Sequence, residues 1–258
     1  MKRLLTLLVG LLIIGTTAGI AGAADTTKIP EYALYIEEKP VKIIEKDGII
    51  TIANAEGINK KILIEQIRRQ IAMRHMEDIT SKANTPLALV ADTKSDADGN
   101  QRPITLPAVG EVYIGAYAEE TVRREAYWSG DYVLVEGYTD AMSWRELDEV
   151  YWEGYNADEI SMGVEITFYT TKLNADITIS KPPGFTLSTQ SGSITISKTF
   201  HAFDTYYLGY DFGSGSREVS AETHDGSRVF KVSTHASNDF YFGTHTWYGV
   251  GATASVSF

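Results

Sequence analysis

The stretch from Glu111 to Glu165 concentrates the groups in this chain that could do chemistry. It holds fourteen carboxylates against Arg123, Arg124 and Arg145, a local net of −11. Interleaved with them are Tyr113, Tyr117, Tyr127, Trp128, Tyr132, Tyr138, Trp144, Tyr151, Trp152 and Tyr155. Rings stack on the apolar faces of pyranoses, and carboxylates accept hydrogen bonds from sugar hydroxyls. The same palette serves a glycosidase, where one carboxyl protonates the leaving oxygen and the other attacks or activates water. It equally describes a sheet with an acidic outer face and an aromatic inner one, since strands favour Tyr and Trp and alternate their faces. No spacing among so many acids singles out an acid and a nucleophile, so no catalytic residue is assigned. The expected ring contacts of a binding surface are Trp128, Trp144, Tyr151 and Trp152, with Glu146, Asp148 and Glu153 as polar partners.

Three weaker patterns compete with this stretch. In Asp92 to Asn100, Asp96, Asp98 and Gly99 match the third, fifth and sixth positions of an EF-hand ring. Lys94 and Thr105 stand where the ring needs its first carboxylate and its bidentate glutamate, so calcium at Asp96 and Asp98 is a partial match and no cofactor is required. His201, His224, His235 and His245 fall in the last sixty residues without any zinc-type spacing. Gly249-Val250-Gly251-Ala252-Thr253-Ala254 satisfies a dinucleotide-binding pattern, but the residues after it alternate like a strand where a helix is needed.

The elements that must position these groups are readable from periodicity. Val41–Lys46 and Ile49–Asn54 flank Asp47-Gly48, a pair that tolerates the positive φ of a tight hairpin turn. A helix follows, capped by Asn59, with Leu63, Ile64, Ile67 and Ile71 at helical spacing. Its other face carries Lys60, Lys61, Arg68, Arg69 and Arg74, for which the acidic stretch is an internal partner. Residues 25–79 therefore form a small α+β unit, hairpin plus helix, which could serve as a pro-segment. Periodicity vanishes over 80–110, which reads as a polar linker rich in Asn, Asp and Pro.

Residues 111–258 are strand-rich, with turn signals at Ser129-Gly130-Asp131, Pro182-Pro183-Gly184, Ser191-Gly192, Gly213-Ser214-Gly215 and Asp225-Gly226. One short helix is expected around Ser143–Glu149. The fold class is mainly β: an antiparallel β-sandwich as the C-terminal domain, preceded by the hairpin-plus-helix unit. The closing alternation Ala252, Ala254, Val256, Phe258 is also how outer-membrane barrels end, but dense carboxylates spoil the outward apolar face a barrel needs.

Residues 1–24 read as a secretory signal peptide: Lys2 and Arg3, the apolar run Leu4–Ile14, then Ala21-Gly22-Ala23. The expected location is extracellular or periplasmic, with no membrane span after cleavage. Removing Lys2 and Arg3 takes the net charge from −11 to −13, which excludes nucleic-acid binding by phosphate neutralisation. Metal cations, basic partners and neutral polymers stay open. The absence of cysteine excludes a lipoprotein anchor, thiol catalysis and thiolate metal sites. The leading expectation is a secreted, non-enzymatic binding or surface-associated protein contacting a glycan or cell-envelope polymer. The alternatives are a secreted glycosidase-like hydrolase, and an assembly protein with a removable N-terminal segment and self-association through strand edges.

Overall fold

The computed structural model describes residues 31–36, 39–53, 55–82, 90–148, 150–243 and 246–258, with side chains from residue 41 onward except Val90. The signal peptide and His245 lie outside the described residues. The chain runs β1 (Glu31–Ile36), β2 (Lys39–Lys46), β3 (Ile49–Ala53), α1 (Lys60–Ser81), β4 (Val90–Leu106), β5 (Gly110–Ala126), β6 (Asp131–Glu146) and β7 (Trp152–Gly154). It continues with β8 (Ala157–Thr170), β9 (Ile177–Ser180), β10 (Thr186–Gln190), β11 (Ser193–Thr205), β12 (Tyr207–Phe212), β13 (Val219–Thr223), β14 (Val229–Tyr241) and β15 (Trp247–Ser257). The protein is mainly β, with two antiparallel sheets packed as a sandwich and an N-terminal hairpin plus helix. No described helix is long and apolar enough to cross a membrane.

The long strand β6 organises the first sheet. One edge pairs with β5 along nearly its whole length, and the other is shared in turn by β7, β12 and β13. Beyond β12 the sheet continues through β3, β2 and β1, and beyond β13 it ends at β9. The second sheet runs β10-β11-β8-β14-β15. Between the sheets, Val112, Ile114, Val133 and Val135 meet Met162, Ile166, Phe168, Val232 and Phe240, all buried. Val250, Ala252, Ala254 and Val256 of β15 point into this core, so their alternation serves the sandwich.

The Asp47-Gly48 turn forms as its residues require, with φ of 52° and 82°. The Asn59 carboxamide caps α1 by accepting from Lys61 N at 3.1 Å. Leu63, Ile64, Ile67 and Ile71 then bury against Val41, Ile43, Ile50, Tyr138, Met142 and Trp144 on the outer face of the first sheet. The hairpin joins that sheet directly, because Ile49 and Ile50 of β3 pair with Tyr210 and Gly209 of β12.

Two expectations are corrected. Ser143–Glu146 do not begin a helix but finish β6, where Trp144 and Glu146 pair with Gly154 and Trp152 of β7. Within the expected linker 80–110, residues 90–106 form a seventeen-residue strand paired throughout with β5. Its composition hid it because β4 is an exposed edge strand: both its faces are polar from Ala91 to Arg102, so no alternation marks it.

Strand β4 also closes one side of the sandwich by an unusual seam. Lys94 Nζ donates to Ser257 O at 2.8 Å, and Asn100 Nδ2 donates to Gly251 O at 3.1 Å. Between them, Asp96 Oδ2 accepts from Ser255 N at 2.7 Å and Asp98 Oδ2 from Thr253 N at 2.9 Å. Alternate side chains of one edge strand thus satisfy the open backbone edge of another, β15. Asp96 and Asp98, the expected calcium residues, sit on a strand, and the loop such a site needs is not formed. Just inside the seam the fully buried Glu120 accepts from Val256 N at 2.9 Å and Thr234 Oγ1 at 2.8 Å. Burial pushes its carboxyl up to about 7, against the pull of those two bonds.

Asp96→Ala/Asp98→Ala is expected to speed hydrogen exchange at the amides of Thr253 and Ser255 while leaving central β8 amides protected. It should cost about 1.5–3 kcal/mol per charged hydrogen bond in denaturant unfolding; unchanged exchange would contradict the seam. Because the folded-state pKa of Glu120 lies above its unfolded value, its contribution is complete below about pH 4.5 and lost as pH rises through 7. Glu120→Gln should flatten the stability profile across that window.

Candidate functional site

Strand alternation sends every second residue of β5 and β6 away from the sandwich core. Tyr113, Gly115, Tyr117, Glu119, Thr121, Arg123 and Glu125 of β5 lie opposite Trp144, Met142, Asp140, Tyr138, Glu136, Leu134 and Tyr132 of β6. The acidic, aromatic stretch is therefore largely one outer sheet face. Helix α1 crosses its middle, dividing it into a covered centre and two open ends.

Under α1 lies a buried ionic layer. Arg68 grips Asp140 with both Nε and one terminal nitrogen, each at 2.7 Å, and its guanidinium stacks 4.0 Å from the Tyr117 ring centroid. Arg74 reaches Asp211 at 2.6 Å and Glu45 at 3.3 Å, while Arg217 reaches the same two acids at 3.2 and 3.0 Å. Lys82, just past the helix end, binds Glu136 at 2.7 Å. His75, 1% exposed, places Nε2 2.7 Å from Asp211 Oδ1. Its Nδ1 faces Glu119 at 3.8 Å, too far for a hydrogen bond, so charge alone acts there. Burial by itself would push this imidazole down; the Asp211 bond and the two carboxylate charges outweigh it and raise it to about 9. Burial would likewise raise Asp211, but the His75 bond and the charges of His75, Arg74 and Arg217 hold it below the ordinary range. Glu119, Glu136 and Asp140 are thus held in ion pairs beneath a helix, out of reach of a substrate.

At one open end, Trp144 lies between Tyr113 and Trp152, with centroids 5.7 and 4.5 Å away and both pairs 19° from parallel. Trp144 itself is only 2% exposed, while Tyr113 and Trp152 are half-buried. Asn59 fixes this end to the helix start: its Oδ1 accepts from Trp152 N at 3.2 Å and its Nδ2 donates to Val150 O at 2.6 Å. Lys61 Nζ sits 5.2 Å over the Trp152 ring. Between α1 and β4–β5 runs a groove of about 230 Å³, floored by Trp144 and Met142 and rimmed by Lys61, Glu65 and Gln101. Gly115 keeps it open, since a Cβ there would come within 2.9 Å of the Trp144 ring.

Of the expected site residues, the β6–β7 hairpin gathers Trp144, Tyr151, Trp152, Glu146, Asp148 and Glu153. Asp148 closes the turn, its Oδ1 accepting from Val150 N at 2.9 Å and Tyr151 N at 2.7 Å. Register puts Glu146 on the face of Trp152, and Glu153 on the other face opposite Arg145. Trp128 does not join them. It stands 85% exposed in the β5–β6 turn, thirteen strand residues from the Tyr113 end, roughly 44 Å at about 3.4 Å per residue.

Several site residues escaped sequence reasoning. Gly115 and Gly99 carried a signal, since glycine inside a strand marks close approach. His75 also did, standing four residues after Ile71 and four before Ile79 on the buried helix face. The distal histidines make local bonds: His201 with Glu159 at 2.9 Å, His224 with Thr178 at 3.0 Å, and His235 with Thr253 at 2.8 Å. Among the described residues no group of three or more His, Asp or Glu is placed to hold a metal.

The raised pKa of His75 has a definite pH consequence. Its contribution to stability is complete below its unfolded value near 6.5 and lost as pH rises through about 9. Urea unfolding is expected to show a loss on the order of 3 kcal/mol across that window in the native chain. His75→Gln should abolish the slope, and an identical slope in the variant would refute the assignment.

No known protein family matches the chain, and no curated protein matches it either.

Proposed function

We propose that the protein is an exported, non-enzymatic binding protein that holds a glycan or cell-envelope polymer at the Trp152 end of the sheet. The observation that carries this reading is the Tyr113–Trp144–Trp152 stack opening onto a groove with a polar rim. A half-buried indole backed by a buried one is a rigid platform for a sugar ring, costing little side-chain entropy on binding. Glu146 on the Trp152 face, with Glu65, Lys61 and Gln101 along the rim, offers acceptors and donors to hydroxyls. Export rests on the leader-like residues 1–24.

The hydrolase alternative draws less support. Glycosidases need two carboxyls facing one substrate across roughly 5–10 Å. Glu119, Glu136 and Asp140 are buried in ion pairs, and Glu146 and Glu153 point to opposite faces of their hairpin.

Retention on neutral insoluble polysaccharides tests the reading directly. Trp152→Ala is expected to weaken retention about tenfold or more, a change of roughly 1.4 kcal/mol or larger. Trp128→Ala, at the far end of the sheet, should leave it unchanged. Retention indifferent to Trp152→Ala, or none by the native chain, would count against it.

A further inference from the structure

The other open end of the same sheet face holds a larger concavity. Beyond the end of α1 a hollow of about 670 Å³ opens to solvent, floored by the buried Leu134 and walled by Tyr127 and Tyr132. Both tyrosines belong to the outward register of β5 and β6, so their rings share this face. Burial, with the Glu218 charge, raises the Tyr132 phenol, which keeps it neutral at ordinary pH.

The charges lining the hollow do not cancel. Arg123 is held by Glu125, with Nε at 2.9 Å and a terminal nitrogen at 2.7 Å, and the other Glu125 oxygen takes the Tyr127 hydroxyl at 2.5 Å. Lys82 is held by Glu136 beneath the helix end. Each cation at the wall thus has its own carboxylate. Glu218 and Glu222 remain, both exposed: Glu218 accepts from Ser220 Oγ at 3.1 Å, and Glu222 has His224 as charged neighbour at 3.8 Å. Among the described residues neither forms an ion pair with lysine or arginine. Two tyrosine faces beside two uncompensated carboxylates attract a cation twice, through the ring quadrupoles and through charge. The chain's net charge of −11 draws such a ligand in from a distance.

We propose that this hollow is a second binding site, distinct from the Trp152 groove, for an amino-sugar polymer in its unacetylated, cationic form. A sugar fits better than a lysine-rich peptide for a reason of size. The hollow is far wider than one extended lysine side chain, and ring walls match the apolar face of a pyranose. The assignment stands apart from the groove reading, since it uses none of the same residues.

Isothermal titration of the full chain with a glucosamine tetramer, the same tetramer N-acetylated, and tetralysine tests it. The glucosamine tetramer should bind, with the other two at least tenfold weaker and with affinity falling as salt rises. Glu218→Gln/Glu222→Gln, conservative changes at exposed positions, should weaken binding tenfold or more while the thermal midpoint stays put; Trp152→Ala should leave it intact. Equal binding of the acetylated tetramer would overturn the charge argument, and equal binding of tetralysine would reassign the surface to basic proteins. No binding of the glucosamine tetramer, or indifference to the double variant, would overturn the site itself.

Discussion

The structure depends on neutralising a sheet face that carries carboxylates where a helix must pack. Glu119, Glu136, Asp140 and Asp211, with Glu45 from the hairpin, would repel one another and resist burial if left alone. Arg68, Arg74, His75 and Lys82 from the helix region, with Arg217, supply an equal number of cations. Apolar packing of Leu63, Ile64, Ile67 and Ile71 supplies the drive, and the ion pairs set where along the sheet the helix comes to rest. A buried ion pair adds little net stability over an apolar contact, yet losing one partner costs dearly. That asymmetry makes the hairpin-plus-helix unit an integral layer of the fold. It sits awkwardly with a segment designed for removal, since its departure would strip the sheet of most of its countercharge.

This layer also explains how much the sequence could and could not disclose. The Asp47-Gly48 hairpin, the Asn59 cap, the helix and most strands follow from local rules, because turn chemistry and periodicity are local. The complementarity of a basic helix face and an acidic stretch was legible as charge. The pairings were not: Arg68 meets Asp140 seventy-two residues away, and Lys82 meets Glu136 fifty-four away. Six of the fourteen acids, Glu119, Glu120, Glu125, Asp131, Glu136 and Asp140, are buried, each compensated by partners that no window could reveal. Strand β4 escaped for the opposite reason: its sequence is polar because its neighbours, not its own side chains, keep it in place.

The two ends of the outer face differ in kind. At the Trp152 end the rings are layered against one another, so their order comes from stacking and from the Asn59 bridge to the helix. At the other end the tyrosines stand apart, ordered by hydrogen bonds to Glu125 and by burial, with Trp128 free at the turn. Aromatic content alone suggested a single surface. Strand length separated it into two, and helix α1 stands between them.

The side-chain seam between β4 and β15 bears on the order in which the molecule can be made. Its bonds join residues 155 to 163 positions apart. Contacts of such long range form late, after shorter loops have closed. A chain emerging N-terminus first holds β4 with one edge paired to β5 and its row of aspartates facing nothing until the last strand arrives. Those charges keep an incomplete sheet from recruiting another chain at that edge. The same two carboxylates that finish the sandwich therefore guard it while it is unfinished.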